Sequence, residues 1–372
     1  MTTTPPEAAQ LAPRSRWRLF GPILALVAAA ALWSAYWYVM AGKTRDFIEV
    51  FAARHHAGNL AVGWNALSIS GYPYRIEAGF TAPSISAPRA PEGWAWSAES
   101  LEADFLPYSL RHVVLKVDGE QVLRYRDVSR PGAPAHVIRA TAEGTWASYV
   151  DVPGAPFGRL AIDINDFVAL KDGEAPNTGE RFAAGRLQLH TRPSAPPENA
   201  EPLPLDAADS YDIALQGDDM AIDAADAPRA LGSNIAFFAA QARLKNAVPT
   251  PNASPAEFVR AWTTQGGVLT VSDMQVKWGP LDMWAQGELS LDPEGRPQGR
   301  FEAAISDYAG LLQALVDARV VSEKDARIAK VGLGLFAQFQ GNQPGRVRVP
   351  VVVTEGKIFL GPVLVAKIEP LL

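Results

Sequence analysis

An unbroken run from Leu19 to Met40 contains no charged side chain, and it constrains the fold more than any other feature of this chain. A helix of about 20 apolar residues crosses the hydrocarbon core of a bilayer, so the run is long enough to do so. Arg14, Arg16 and Arg18 precede it, and such a cluster favours the cytoplasmic side of a membrane. We therefore expect a cytoplasmic tail (residues 1–18), a transmembrane helix (19–40) and an exported body.

A cleavable secretory signal is the alternative for the same run. Ala28-Ala29-Ala30 supplies the small residues that a cleavage site needs. However, the run exceeds the roughly 7–15 apolar residues of a usual signal core. It also ends in aromatic residues whose rings suit the depth of the lipid headgroups, namely Trp33, Tyr36, Trp37 and Tyr38. Both alternatives export the rest of the chain, and we favour the anchor.

Composition limits the partners of the exported body. The chain has 372 residues, of which 48% are hydrophobic, and this is enough for a sizeable core. Cys is absent, so neither disulfides nor thiolate metal sites hold the fold together. The first 45 residues hold five of the 34 Lys and Arg and one of the 40 Asp and Glu, so the remainder has a net charge of −10. We expect no nucleic-acid partner, because phosphate contacts need clustered cations.

Residues 41–60 are expected to leave the bilayer as a short amphipathic helix. Apolar residues recur there at helical spacing, and a Gly-Asn pair supplies a stop. These residues are Phe47, Val50, Phe51 and Gly58-Asn59. The adjacent His55 and His56 do not indicate a metal site, because neighbouring side chains on a helix point about 100° apart and no third ligand is close in sequence.

From Ala61 onward, apolar and polar residues alternate, which indicates strands with one buried face. The alternating apolar positions include Leu160, Ile162, Ile164, Tyr211, Ile213, Leu215, Leu269 and Val271. Asp118-Gly119, between two apolar runs, predicts a short hairpin. Gly and Pro number 30 each, so many turns separate short strands, which favours an antiparallel sheet over βαβ units. We divide the body into a first β half (61–192), a Pro-rich loop (193–204) and a second β half with helices (205–372).

Three helices are predicted in the second half. A capping box starts the first at Ser254-Pro255, and Gly266-Gly267 ends it. The second spans Tyr308 to Val316, and the third starts at Ser322 and carries Ile328, Val331 and Leu335. The expected fold class is therefore mainly β with a few helices (α+β). It combines an N-terminal transmembrane helix, a curved or sandwich-like antiparallel sheet body, and helices near the C-terminal end.

The sequence contains no recognisable catalytic motif. A G-x-S-x-G elbow, a Walker loop, H-E-x-x-H and a dinucleotide fingerprint are all missing. His112, His136 and His190 are scattered, and acidic pairs such as Asp163/Asp166 and Asp218-Asp219 are typical of solvated turns. We therefore expect no catalytic residue, no metal and no cofactor.

Four segments resemble an uncharacterised family of proteobacterial envelope proteins. They are Ile69-Ser70-Gly71-Tyr72-Pro73-Tyr74-Arg75, Leu106-Pro107-Tyr108, residues 287–299 and residues 356–362. The pattern G-x-L-x-L-D-x-x-G-x-P-x-G at 287–299, followed by a Leu-rich helix, is also similar to the broader AsmA-like group. The resemblance implies an inner-membrane anchor, a periplasmic β-sheet body and a link to envelope and lipid homeostasis, without catalytic residues. Structural roles in turns and close strand contacts are expected for Gly71, Tyr72, Pro73, Tyr74, Gly287, Gly295, Gly361 and Pro362.

Three functional hypotheses follow. In the leading one, the inward strand faces form an apolar groove for the acyl chains of inner-membrane lipids, lined by Ile162, Ile164, Ile213, Leu215, Leu269 and Val271. In the second, the same residues fill the dry core of a closed sandwich, and the protein is a scaffold that binds another envelope protein. An anchored hydrolase is the third. Alternation alone predicts one apolar face and does not decide whether that face is open.

Overall fold

The computed structural model describes residues 17–56, 60–89, 93–126, 135–172, 179–195, 209–223, 231–248, 255–339, 346–360 and 363–368. These residues form one antiparallel sheet of 18 strands and four helices. In chain order they are α1 (Trp17–His56), β1 (Ala61–Gly63), β2 (Ala66–Ser70), β3 (Ile76–Thr81), β4 (Ser84–Ser86), β5 (Ala95–Leu106), β6 (Ser109–Tyr125), β7 (His136–Thr141), β8 (Gly144–Val150), β9 (Arg159–Lys171), β10 (Glu180–Pro193), β11 (Tyr211–Asp223), β12 (Asn234–Lys245), α2 (Pro255–Thr264), β13 (Val268–Trp278), β14 (Leu281–Leu291), β15 (Pro297–Ser306), α3 (Tyr308–Asp317), α4 (Glu323–Phe339), β16 (Arg346–Thr354), β17 (Lys357–Leu360) and β18 (Val363–Lys367). The prediction of a mainly β fold with an antiparallel sheet, a long apolar N-terminal helix and helices near the C-terminal end is confirmed.

The sheet is a meander in which neighbours in sequence are neighbours in space. From β9 to β18, each strand pairs with the next one along the chain. Nearer the N-terminus, β3 and β4 both pair with β5, and β7 and β8 both lie between β6 and β9. The Pro-rich stretch does not interrupt the sheet, because Pro193 at the end of β10 pairs with Tyr211 at the start of β11. Residues 196–204 of that stretch lie outside the described residues.

The predicted transmembrane helix and the predicted juxtamembrane helix are parts of one helix, α1. Among the described residues, α1 is the one helix that is long and apolar enough to span a membrane, and only 6% of its most apolar window is buried. The C-terminal half of α1 lies beside β1 and β2. Phe47, Val50 and Phe51 all remain exposed. The predicted stop at Gly58-Asn59 and the side chains of His55 and His56 lie outside the described residues.

The predicted hairpin at Asp118-Gly119 is wrong. β6 runs through these residues and pairs with β5 on both sides of them, as Ser100 with Asp118 and Ala98 with Gln121. One residue of β5 therefore faces two of β6, which is a β-bulge. Gly119 adopts a positive φ of 79°, which glycine tolerates. The pattern was ambiguous because Asp-Gly suits both a tight hairpin and a bulge, each of which needs a residue with positive φ. Pairing with the neighbouring strands decides between the two.

The three predicted helices are present as α2, α3 and α4. Gly266, with a φ of 69°, follows α2. The Ser322 hydroxyl accepts a hydrogen bond from the Asp325 backbone N–H (3.1 Å) at the start of α4. Ser254 lies outside the described residues. Helix α4 packs on the sheet through Leu333 and Ala337, whereas Ile328, Val331 and Leu335 form an exposed stripe.

Candidate functional site

One face of the sheet is apolar from strand to strand, and we call it the apolar face. Residues paired across neighbouring antiparallel strands lie on the same side of a sheet. A row of such partners follows the sheet from β2 to β16 and contains only apolar side chains. In order, its members are Ile69, Ala78, Ala103, Leu115, Ala147, Ile162, Leu189, Leu215, Ala240, Met274, Ala285, Ala303 and Val349.

Two parallel rows flank the first and are nearly as apolar. One contains Ile76, Phe105, Val113, Tyr149, Leu160, Thr191, Ile213, Ala242, Val271, Gly287, Phe301, Val351 and Leu360. The other contains Leu67, Phe80, Leu101, Val117, Thr145, Ile164, Leu187, Gly217, Phe238, Val276, Met283, Ile305 and Val347. The three rows therefore form a continuous apolar face from β3 to β16, three residues deep along each strand that they cross.

Helices cover the apolar face at its two ends. At the N-terminal end, Trp37 and Ala41 of α1 form a buried cluster with Ile76 of β3. At the C-terminal end, Leu311 of α3 and Ala337 of α4 are buried in a cluster with residues of the three rows. A third cluster forms where Trp262 of α2 packs on Tyr211, the first residue of β11, and on Leu291, the last residue of β14.

Among the described residues, no helix covers the middle of the apolar face, and we call this part the open stretch. It comprises Leu115, Ala147, Ile162, Ile164, Leu187, Leu189, Ile213 and Leu215. None of these residues is fully buried or belongs to the three helix clusters. Leu215 is 42% exposed, whereas Ala303, farther along the same row, is 1% exposed. Five adjacent strand positions about 4.8 Å apart make the open stretch about 20 Å wide.

The six residues predicted to line a groove all lie on the apolar face. Ile162, Ile164, Ile213 and Leu215 come together in the open stretch. Leu269 packs against the α2 cluster, and Val271 is buried. The prediction missed Leu115, Leu187 and Leu189, although the alternation around each of them signals a strand face in the same way.

The opposite face, which we call the polar face, carries many polar side chains, including paired charges. Asp163 accepts two hydrogen bonds from Arg186, whose guanidinium lowers the pKa of that carboxyl. Asp212 accepts hydrogen bonds from Arg243 (2.8 Å) and Arg192 (3.3 Å) in a depression of about 950 Å³. No cluster of three or more potential metal ligands occurs among the described residues. Each of these two carboxylates forms ion pairs with Arg side chains, which is typical of a solvated surface.

The histidines and Asp219, which the sequence singled out, lie on four different strands. His112 shares a hydrogen bond with Ser148 (2.9 Å), and His136 packs against Tyr125. His190 and Asp219 are exposed, on β10 and β11. The described residues therefore show no pair of these groups oriented by a third one, as nucleophilic catalysis requires.

The Gly71–Tyr74 segment forms a turn that binds α1. The backbone N–H groups of Tyr74 and Arg75 donate to the Gly71 carbonyl (3.2 and 3.1 Å). Gly71 has a φ of 96°, and a Cβ there would lie 2.7 Å from the Arg75 carbonyl oxygen, so glycine is required. Trp33 of α1 donates to the Pro73 carbonyl (2.9 Å). The expected structural role of this motif thus consists of joining the sheet to the helix.

The C-terminal motif also forms a turn, between β14 and β15. Gly295 has a φ of 74°, and Asp292 accepts hydrogen bonds from the backbone N–H groups of Glu294 (3.0 Å) and Arg296 (2.8 Å). Gly287 lies so close to Phe301 that a Cβ would be 2.7 Å from its ring. Gly361 and Pro362 lie outside the described residues.

The structure therefore defines a class of protein in which a long apolar N-terminal helix carries a meandering sheet with one apolar face. The chain belongs to the family described as "uncharacterized protein conserved in bacteria (DUF2125)", which matches residues 37–369. The match begins inside α1 and includes the whole sheet. No curated protein matches the chain.

Proposed function

We propose that this is a non-enzymatic protein of envelope and lipid homeostasis, anchored in the inner membrane with its body in the periplasm. We propose further that the open stretch binds lipid acyl chains. The observation that carries this proposal is the gap in the cover of the apolar face: helices bury both ends, and the middle remains partly exposed.

The size and setting of the open stretch fit an acyl chain. Contiguous exposed apolar surface on a soluble body marks a binding site or an aggregation liability. A width of about 20 Å exceeds half of the bilayer's hydrocarbon core, about 15 Å, which is the depth that one leaflet's chains occupy. Lipid is the abundant apolar partner beside a membrane anchor, and the resemblance to the AsmA-like group supports the same role.

Photocrosslinking from single positions tests the proposal. A benzophenone amino acid replaces Ile162, Ile213 or Leu215 in the full chain, in cells whose phospholipids carry a radioactive label. Irradiation should attach label to the protein, because these side chains face the bound chains. The matched controls are Ala161, Ala214 and Gln216, which neighbour them on the same strands but lie on the polar face.

Label at the apolar positions and not at the polar ones supports the proposal. No label at any of the three apolar positions contradicts it and favours a dry core. Equal capture on both faces also contradicts it, because the adducts would then reflect nonspecific contact with the bilayer.

The exposed stripe on α4 favours a second candidate function, the binding of another envelope protein. Ile328, Val331 and Leu335 lie on one side of the helix and are all more than half exposed. An amphipathic helix with its apolar side outward is a common docking element. Benzophenone at Val331 should then give a discrete protein adduct that is absent at the neighbouring Lys330, and identical patterns at both positions would contradict this candidate.

A further inference from the structure

Two turns at the same ends of the strands form hydrogen bonds with the apolar helix α1. One is Tyr72–Tyr74, between β2 and β3, and the other is Leu106–Tyr108, at the turn from β5 into β6; we call them the tips. The Tyr72 hydroxyl shares a hydrogen bond with Ser34 of α1 (2.7 Å). The Tyr36 hydroxyl donates to the Pro107 carbonyl (2.9 Å). The tips therefore lie level with residues 33–36 of α1.

That level falls within the apolar run. The hydrocarbon core is about 30 Å thick, or about 20 helical residues. A span that starts after Arg18 therefore ends near Tyr38. At about 1.5 Å per residue, Trp33 and Tyr36 lie roughly 3–8 Å inside that boundary. Because the tips hydrogen-bond to this part of α1, they reach the same depth, whereas the rest of the sheet extends away along the outer half of the helix.

The side chains of the tips suit that depth. Tyr74 is 82% exposed and Tyr108 is 68% exposed, and Leu106 and Tyr72 are also exposed. Neither tip contains a charged residue. Tyr and Trp concentrate at membrane interfaces, where the ring is apolar and the hydroxyl stays hydrated. Tyr72 stacks on Tyr38 and meets Trp37 edge to face, so helix and tip form one aromatic cluster.

We propose that both tips insert into the outer leaflet of the membrane that α1 spans, at the boundary between its headgroup layer and its hydrocarbon core. The sheet then stands on the bilayer at three places, α1 and the two tips, and this fixes the orientation of the apolar face relative to the lipid surface. The partner is the interface of a phospholipid bilayer. The inference rests on the membrane anchor of the proposed function and is independent of acyl-chain binding.

Spin labels measure the depth of the tips. The chain has no Cys, so single-cysteine variants need no other change. Tyr74→Cys and Tyr108→Cys carry a nitroxide in the full chain, reconstituted in phospholipid nanodiscs. Leu32→Cys, on the exposed side of α1, is the membrane control, and Ser233→Cys, before β12 at the opposite ends of the strands, is the aqueous control. Power saturation compares the access of oxygen, which concentrates in lipid, with that of a water-soluble nickel complex.

We expect both tip labels to favour oxygen over nickel, at a depth between those of the two controls. A tip label that matches Ser233→Cys while Leu32→Cys is deep overturns the inference and leaves the anchor intact. An aqueous Leu32→Cys label overturns the anchor and the inference together. Unchanged melting temperatures of the tip variants show that the labels report on the native fold.

Discussion

At the scale of single residues, two carboxyl groups show how local surroundings set opposite pKa shifts. Burial raises the pKa of Asp104, Arg75 at 3.4 Å opposes the rise, and Glu77 adds repulsion. One oxygen of Asp104 is buried without a hydrogen bond. Burial also works against the ionised form of Asp292, but the backbone and guanidinium of Arg296 more than offset it and lower that pKa. The Asp292 carboxylate therefore stabilises its turn, whereas the ionised Asp104 opposes folding.

We predict that Asp104→Asn raises the melting temperature at pH 7 and that Asp292→Asn lowers it, each by a few degrees. The folded-state pKa of Asp104 exceeds its unfolded value, so its favourable contribution exists below the ordinary Asp pKa of about 3.9 and is lost as pH rises. The contribution of Asp292 is present at pH 7 and is lost as pH falls. The effect of Asp104→Asn should therefore shrink towards pH 4, whereas the effect of Asp292→Asn should largely persist at pH 4, because it is lost only below the ordinary Asp pKa. Thermal unfolding of the full chain in detergent at the two pH values measures this, and destabilisation by both variants at pH 7 would contradict it.

At the scale of elements, the helices divide the apolar face into covered and open parts. Ile305 lies at the covered C-terminal end, in the cluster with Leu311 of α3. Leu215 lies in the open stretch on β11. The two side chains have similar size and share one sheet face, so they differ mainly in what packs above them.

We predict that Ile305→Ala lowers the free energy of unfolding by about 2–5 kcal/mol, as expected for a buried aliphatic side chain. Leu215→Ala should lower it by about 1 kcal/mol or less, because a half-exposed side chain leaves little cavity. Chemical denaturation in detergent, followed by circular dichroism, gives both values. Equal losses of unfolding free energy in the two variants would mean that Leu215 is buried to the same degree as Ile305. That result would support the closed-core alternative.

Local chemistry explains which elements the sequence could predict. Alternation located the strands, and end signals together with the helical spacing of apolar residues located α2, α3 and α4, because these signals depend on near neighbours. The bulge at Gly119 was mistaken for a hairpin, and the outward orientation of the α4 stripe was not predicted, since both depend on what packs alongside. The three rows of the apolar face rest on strand register, which is decided between distant segments. The strand register therefore had to be known before four of the six predicted groove residues could be placed side by side in the open stretch.

At the scale of the whole molecule, α1 is part of the fold, because its C-terminal half packs against the sheet. Trp37 is buried against Ile76 and donates a hydrogen bond to the Arg75 carbonyl (2.8 Å). Cleavage near residue 42 would remove Trp37 and Ala41 from this cluster and expose β3. A helix that is packed into the sheet at its outer half and exposed at its apolar half fits an anchor better than a removable signal.

We predict that the full chain remains uncleaved and crosses the membrane once, with residues 1–18 in the cytoplasm. A periplasm-active reporter fused after Leu372 should be active, and a cytoplasm-active reporter at the same place should be silent. Arg14, Arg16 and Arg18 bias the orientation, so replacing all three with Glu should lower the periplasmic signal, whereas replacement with Lys should preserve it.

Intact mass of the protein extracted from membranes should correspond to an unprocessed α1. A soluble product that begins near residue 31 or 42 would contradict the anchor, and activity from the cytoplasmic reporter alone would reverse the topology.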